Sequence, residues 1–232
     1  MIVETVLHPA GGTERHGRFV PAQASRYRHL LLFRFMTFNL VGAALVAAAY
    51  LQGWVTLVYE SDMTHLTFVI TALFLSGFGI CVLKIVRASR ELNGALEFDP
   101  RSDSFAARYV AEVRERSPES RALLASALKM KLIERITAVR SVANTLVFLG
   151  LIGTVIGFII ALSGVNPEVV SDISAVGPIV SNLIQGMSVA LYTTLIGAIL
   201  NIWLMVNYRV LASGTVNLLT ALIELGEKHA RT

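Results

Sequence analysis

VANTLVFLGLIGTVIGFIIALSGV (residues 142–165) and GMSVALYTTLIGAILNIWLMVN (residues 186–207) are the two stretches of sequence that decide the fold. Residues 141–167, around the first stretch, contain no charged residue, and residues 173–208, around the second, contain none either. Each uncharged run exceeds the roughly 20 apolar residues that a helix needs to cross about 30 Å of hydrocarbon. Both carry Gly, Ala, Ser and Thr at helical spacing, so they predict two membrane-spanning helices that approach each other closely.

The composition of the whole chain indicates an integral membrane protein. Of the 232 residues, 54% are apolar and 16% are charged, and the charged residues lie outside or at the ends of four apolar blocks. These blocks are Leu30–Val58, Leu66–Val86, Val142–Val165 and Pro178–Tyr208. Helices in the core of a soluble protein seldom run this long without a polar stripe. The predicted fold class is an all-α integral membrane protein with four transmembrane helices, of which long helices 3 and 4 extend into the cytoplasm.

The positions of the charges predict the topology. None of the 20 Lys and Arg residues falls in the loops 52–65 and 166–177. Those loops carry only acidic charges, at Glu60, Asp62, Glu168 and Asp172. Because basic residues stay on the cytoplasmic side, we expect both termini and the middle segment to be cytoplasmic. The same distribution explains the net charge of +4 without a role for nucleic acid.

The chain divides into five predicted segments. They are a cytoplasmic N-terminal arm (1–29), two peripheral transmembrane helices with a short periplasmic loop (30–86), a cytoplasmic helical segment (87–140), two further transmembrane helices (141–208) and a cytoplasmic C-terminal helix (209–232). Cys81, the one cysteine, falls in the second span and is expected to fill apolar space.

Ser117-Pro118-Glu119 is typical of a helix start, because proline suits the first helical position. Apolar residues then recur at helical spacing, at Leu123, Leu124, Leu128, Ile133, Ile136 and Val139. Nothing breaks the pattern before Gly150, which predicts a rod from Pro118 to Val165, about 70 Å long at 1.5 Å per residue. The tail after Tyr208 predicts a separate short amphipathic helix that packs on this rod.

Small residues follow one face of each of the two long spans. On helix 3 they are Gly150, Gly153, Thr154, Gly157, Ala161 and Gly164, and on helix 4 they are Gly186, Ala190, Thr193, Thr194, Gly197 and Asn201. Close helix packing alone would explain the glycines. The threonine hydroxyls either bond to carbonyls of their own helix or line a polar path. The residues by themselves leave both interpretations open.

The sequence motifs in these two spans also resemble those of a known family. Leu149–Gly157, LGLIGTVIG, and Ala190–Gly197, ALYTTLIG, resemble the paired motifs LGLLGTVxG and A-L-x-x-T-x-x-G of the MotA/TolQ/ExbB family of ion-driven motor subunits. Four spans, with a cytoplasmic segment between the second and the third, are similar to the flagellar MotA arrangement, whereas TolQ and ExbB have three spans. Val189 stands where TolQ- and ExbB-like members carry a Glu, which again resembles MotA.

The resemblance implies a homo-pentamer in the bacterial inner membrane, around the single membrane helices of two copies of a MotB/TolR/ExbD-like partner. Residues 141–208 would then line the central space. Since this region contains no Lys, Arg or His and its only carboxylates, Glu168 and Asp172, lie in the loop between the helices, the resemblance assigns the ion-carrying Asp to the partner. It assigns the ion pathway to Thr154, Thr193 and Thr194. It also implies close packing around the partner helices by Gly150, Gly153, Gly157, Ala161, Gly186, Ala190, Gly197 and Asn201.

The implied function is a non-enzymatic ion-channel and stator subunit that converts a proton or sodium motive force into mechanical work. No cofactor and no bound metal are expected, unless sodium is the coupling ion and the oxygens of Thr154, Thr193 and Thr194 bind it. The alternative function is a structural tetraspan scaffold without ion conduction. A membrane enzyme has little support, because the sequence lacks metal-ligand spacing and phosphate-binding loops. The driven machine, whether flagellar, outer-membrane transport, envelope maintenance, gliding or defence, stays open.

Overall fold

The computed structural model describes residues 30–96, 105–114, 117–163 and 176–230, and these residues form six helices and no strand. The helices are α1 (Leu30–Leu51), α2 (Trp54–Ser61), α3 (Leu66–Leu96), α4 (Phe105–Arg114), α5 (Pro118–Ser163) and α6 (Val176–Ala230). Within these described ranges α1, α3, α5 and α6 are long and apolar enough to cross a membrane. The predicted all-α fold with four spans is therefore confirmed. The predicted arm 1–29 and Gly164 lie outside the described residues.

Helix α5 begins at Pro118, as predicted, and continues for 46 residues to Ser163. The carbonyl of Ser117 accepts the first helical hydrogen bond, from the amide of Arg121 at 3.0 Å. Proline at the first helical position loses nothing, because its missing N–H would have no partner in the helix. At 1.5 Å per residue the helix is about 70 Å long. The predicted unbroken rod is confirmed up to Ser163.

Helix α6 corrects the prediction of a separate C-terminal helix. It runs without a break for 55 residues from Val176 to Ala230, about 80 Å. The sequence after Tyr208 contains neither proline nor a helix-stop motif, and Gly214 stays helical, packed against Leu31. The predicted contact itself is confirmed, because Leu218 and Leu222 share a buried cluster with the first half of α5.

Two buried clusters join the long helices. The first, within the apolar spans, contains Phe35, Ile70, Phe74, Cys81, Ile85, Ile136, Val139, Ala143, Leu146, Leu204 and Leu211. The second lies among the charged ends and contains Leu92, Ala95, Ala106, Tyr109, Val113, Leu128, Leu132, Leu218 and Leu222. Burial of the Tyr109 ring, with Glu227 and Glu112 nearby, raises the pKa of its hydroxyl. Cys81 is buried in the first cluster, as expected of an apolar filler.

The buried stripe of α5 differs from the predicted one at three positions. Leu123 and Ile133 are exposed, by 71% and 43%, whereas Leu132, which the pattern omitted, is buried. Steps of three and four residues from Leu128 pass through Leu132 and Ile136, and Ile133 lies about 100° away from Leu132 around the axis.

The predicted loop 52–65 contains a short helix. Gly53, with φ 77°, ends α1 and starts α2 in a left-handed conformation that glycine adopts without strain. Val58 is buried, and the Tyr59 hydroxyl lies 2.7 Å from the Thr71 hydroxyl on α3. The sequence analysis assigned residues 54–58 to the first apolar block, Leu30–Val58, and missed the break at Gly53 that separates α2 from α1.

Asp62 holds the start of α3. Its carboxylate accepts hydrogen bonds from the amide of Thr67 at 2.6 Å and from the amide and hydroxyl of Thr64 at 3.0 and 2.6 Å. Burial opposes ionisation, but these hydrogen bonds outweigh it, and the pKa of Asp62 lies below its ordinary value of 3.8. The carboxylate therefore satisfies the Thr67 amide, one of those that the first turn of a helix leaves without partners, and also bonds to Thr64 just before the helix.

The closest approach in the fold is between α5 and α6. A Cβ built on Gly157 would clash with the Gly186 carbonyl and would lie 2.6 Å from the Ala190 amide nitrogen. A Cβ on Gly186 would clash with the Gly157 carbonyl, and one on Gly197 would lie 2.8 Å from the Leu146 carbonyl oxygen. The obstacles are main-chain atoms, which cannot move aside as a side-chain end can. These glycines therefore set the distance between the two helices.

Gly157→Ala and Gly186→Ala are expected to lower the stability of the purified protein by about 1–3 kcal/mol each, because the added methyl overpacks a helix contact. Gly79→Ala is the matched control, since nothing lies within 4 Å of a Cβ at Gly79 on α3. Thermal unfolding of the three variants in one detergent measures the difference. Equal stability of all three would contradict the assigned contact.

Asp62→Ala is expected to destabilise the protein by about 1 kcal/mol, as is usual for the loss of a helix cap. Because folding lowers the pKa of Asp62, its contribution is complete above its ordinary pKa of 3.8 and is lost as the pH falls through the folded value. The difference in unfolding temperature between wild type and Asp62→Asn should accordingly shrink in acid. A difference that does not change with pH would contradict this role of the carboxylate.

Candidate ion pathway

The structure brings most of the predicted site residues into one contact between α5 and α6. The buried members are Gly150, Gly153, Gly157, Ala161, Gly186, Ala190, Thr193 and Gly197. Thr154 and Asn201 are half-buried, and Thr194 is exposed. This contact joins two helices of one chain. Packing of the same residues around partner helices therefore stays a prediction.

Thr194 lies at the edge of this contact. Its hydroxyl donates a hydrogen bond across the helices to the carbonyl of Gly150, at 3.0 Å. A Cβ on Gly150 would lie 3.2 Å from the Cα of Thr194, so glycine at this position is what allows the hydroxyl to reach the α5 main chain. The apolar residues Leu191 and Leu195 on either side are 67% and 53% exposed. Thr194 is thus a polar group on an otherwise apolar outer surface.

Thr154, on α5, bonds to the same carbonyl through its main-chain amide. Residue 154 follows Gly150 by four positions, and in a continuous α-helix its amide donates to that carbonyl. The Thr154 hydroxyl donates to the carbonyl of Leu151, at 2.6 Å. The two threonines therefore meet at the Gly150 carbonyl, one through its main chain and the other through its hydroxyl. This group of oxygens is the most polar feature that the predicted site presents at its edge.

Thr193 is placed differently from its neighbour. It is fully buried, and its hydroxyl donates to the Val189 carbonyl at 2.8 Å and more weakly to the Ala190 carbonyl at 3.3 Å. A Cβ on Gly153 would lie 2.5 Å from the Thr193 Cβ, so this side chain fills the notch that Gly153 leaves in α5. The predicted role of Thr193 in an ion pathway stays a prediction.

Asn201 links α6 to α5 about one helical turn after Gly197. Its amide nitrogen donates to the Ala143 carbonyl, at 2.7 Å. In hydrocarbon such a bond stabilises the helix pair, because water is not there to compete for either group. The packing role predicted for Asn201 thus has a polar component within the chain.

An amide cluster that the sequence analysis missed joins α1 to α6. The Asn39 amide nitrogen donates to Asn207 Oδ1 at 2.7 Å, and Asn39 Oδ1 accepts from the Trp203 indole at 2.9 Å. The Asn207 amide nitrogen also donates to the Trp203 carbonyl, at 2.9 Å. Two asparagines inside the uncharged runs 35–59 and 173–208 are the signal that could have predicted this cluster, since a polar side chain in a membrane needs a partner.

The chemistry available to the α5–α6 pair follows from its residue types. Neither residues 141–163 nor residues 176–208 contain a carboxylate, imidazole, amine or guanidinium group. Hydroxyl and carbonyl oxygens can hydrogen-bond a protonated carboxylic acid, or bind a hard cation such as Na⁺. They cannot themselves store and release a proton near neutral pH. A proton pathway along these helices therefore needs a titratable group from outside residues 141–163 and 176–208.

Comparison with known proteins gives one family. The sequence profile of the MotA/TolQ/ExbB proton channel family matches residues 101–224, more than half of the chain. The match includes both small-residue motifs, all of α5 and most of α6. Comparisons with curated proteins and with solved structures give no match. With four membrane-spanning helices and this match, the chain belongs to the MotA/TolQ/ExbB proton channel family.

Proposed function

We propose that this chain is the ion-conducting stator subunit of a membrane motor that converts proton motive force into mechanical work. The observation that carries the proposal is the meeting of Thr154 and Thr194 at the Gly150 carbonyl. It puts hydrogen-bonding oxygens on a surface of two spans that have no carboxylate or imidazole group of their own. A partner with a membrane Asp supplies that group. Each elementary charge that crosses provides roughly 2.3 kcal/mol per 100 mV.

The assembly that fits this role is a homo-pentamer around the single membrane helices of two MotB/TolR/ExbD-like partner chains, with residues 141–208 of each subunit facing them. The support is the family membership. Native mass spectrometry of the complex extracted from its own membrane counts both chains. A monomer or dimer of the 25.2 kDa chain would contradict the motor and favour the scaffold function.

The orientation that we propose places both termini, the charged segment 87–140 and residues 209–232 in the cytoplasm. The loops 52–65 and 166–177 then face the periplasm across the bacterial inner membrane. The support is the absence of Lys and Arg from both loops. Under this orientation the first half of α5 and the end of α6 extend into the cytoplasm. Accessibility of cysteines introduced at 60 and 224 to an impermeant thiol reagent tests it.

Thr194→Val is expected to lower ion flux through the reconstituted complex with its partner by about tenfold or more. The reason is that a hydrogen bond to a charged group is worth about 1.5–3 kcal/mol, and 1.4 kcal/mol corresponds to about tenfold in rate. Thr194→Ser keeps the hydroxyl and should keep the flux. Thr220→Val is a matched control, because the Thr220 hydroxyl bonds only to its own helix at Val216 among the described contacts.

Assembly of each variant must be equal by native mass spectrometry before the fluxes are compared. Full flux in an assembled Thr194→Val complex would remove the hydroxyl from the ion pathway. It would favour the scaffold alternative, in which the small residues only pack.

For the coupling ion we propose the proton, because the Thr193 side chain, which a sodium site would add to Thr154 and Thr194, is fully buried in the α5–α6 contact. We expect flux that does not depend on sodium, and Thr193→Val, which keeps the volume beside Gly153, should retain most of it. Thr193→Ser keeps the hydroxyl and controls for the lost methyl group. Sodium-dependent flux that Thr193→Val abolishes and Thr193→Ser preserves would overturn the proton in favour of sodium.

A further inference from the structure

A cavity of about 200 Å³ lies between α3, α5 and α6, away from the candidate ion pathway. Its lining combines an apolar floor with charged walls. The lining residues are Lys84, Arg87, Ala88, Glu91, Leu132, Arg135, Ile136, Leu211, Thr215 and Leu218. Thr215 is buried and its hydroxyl bonds to the Leu211 carbonyl, so it offers no free donor to the cavity. The available polar groups are therefore the charged ones.

The charges of the cavity favour an anion. Three cations, Lys84, Arg87 and Arg135, face one carboxylate, Glu91. The Lys84 ammonium group is engaged with the main-chain carbonyl of Arg135. The guanidinium groups of Arg87 and Arg135 are on exposed residues, and neither bonds to another described residue. Two guanidinium groups with unused donors are well suited to the oxygens of a phosphate.

The depth of the cavity in the bilayer points to a lipid. Lys84 directly follows the uncharged residues 66–83 of α3, and Arg135 precedes the uncharged residues 141–163 of α5 by about two turns. The two guanidinium groups therefore lie where the hydrocarbon ends and the lipid headgroups begin. Basic pockets between membrane helices at this level bind anionic headgroups.

An apolar path leads from the cavity toward the centre of the bilayer. Steps of four residues along α3 connect Arg87 with Leu83, Gly79 and Leu75. Leu83 and Leu75 are 72% and 59% exposed, and the space beside Gly79 is open within 4 Å. An acyl chain could lie along this ridge over Gly79 while its headgroup occupies the cavity. A free inorganic phosphate would leave the ridge and the apolar floor uncovered.

We propose that this cavity binds one anionic glycerophospholipid per chain, from the leaflet on the side of the basic residues. The lipid phosphate accepts hydrogen bonds from Arg87 and Arg135, and an acyl chain covers Leu83, Gly79 and Leu75. The Glu91 carboxylate accepts hydrogen bonds, which favours a headgroup with hydroxyl donors, such as that of phosphatidylglycerol. A lipid held here bridges α3 and α5 at the point where the spans meet the charged ends of the helices.

The test measures lipid retention by the full-length protein, in the complex in which it is extracted. Each Lys or Arg beside an anionic lipid contributes about fivefold to binding, so the double variant Arg87→Gln/Arg135→Gln should bind phosphatidylglycerol about 25-fold more weakly. Arg90→Gln/Lys129→Gln removes the same charge from exposed residues outside the cavity and should change retention little. Native mass spectrometry in nanodiscs with phosphatidylglycerol and phosphatidylcholine gives both occupancies.

Arg87→Lys/Arg135→Lys keeps the charge and should recover most of the binding, which covers the case that the glutamine variant does not fold. Equal weakening by the cavity and control variants would overturn the proposal, since it would show only general attraction between a basic surface and an anionic membrane. Retention of phosphatidylcholine as strong as that of phosphatidylglycerol would also overturn it. So would displacement of the lipid by millimolar inorganic phosphate, which would identify a phosphate site instead.

Discussion

The main-chain contact between Gly157 and Gly186 is the constraint on which the rest of the structure depends. With no side chain on either residue, α5 and α6 approach until the carbonyl of each residue lies against the other helix. Lipid tails are as apolar as leucine, so burial of apolar surface gives little drive for two helices to associate within a bilayer. Close van der Waals packing and interhelical hydrogen bonds must supply it. The bonds of Thr194 to Gly150 and of Asn201 to Ala143 form because the glycines permit the approach.

The same need for hydrogen-bond partners applies to the other polar groups of the spans. Asn39, Trp203 and Asn207 satisfy one another and fasten α1, most of whose surface is exposed, to α6. Asp62 lies outside the spans and satisfies the amides at the start of α3. The polar side chains that bond between helices within the spans, Asn39, Trp203, Asn207, Thr194 and Asn201, are all uncharged. A chain built in this way offers an ion a hydrogen-bonding surface and leaves the charge to a second protein, which is the division of work that we propose.

Much of the architecture could be predicted from sequence, because span length and the helix start at Pro118 depend on local sequence. The errors fall where tertiary packing decides. Leu132 and Ile133 are equally apolar, and only the angle at which α5 meets its neighbours buries the first and exposes the second. The continuity of α6 past Tyr208 depends on the packing of Leu218 and Leu222 onto α5. Because the sequence changes from uncharged to charged after Tyr208, the pattern suggested that the helix ends there. The small-residue motif likewise predicted which residues meet, but not which hydroxyl would stay exposed.

Thr193 and Thr194 show why that last distinction matters. Neighbours in a helix point about 100° apart, so a surface that receives the hydroxyl of one does not receive that of the other. In this structure Thr193 fills the notch at Gly153 and Thr194 occupies the edge. An ion site that used both oxygens would require α6 to turn about its axis. Such a turn would drive side chains into the main-chain contacts at Gly186 and Gly197, which glycine alone allows. The two threonines therefore differ: Thr193 packs inside the contact, and Thr194 is the hydroxyl that we propose for the ion pathway.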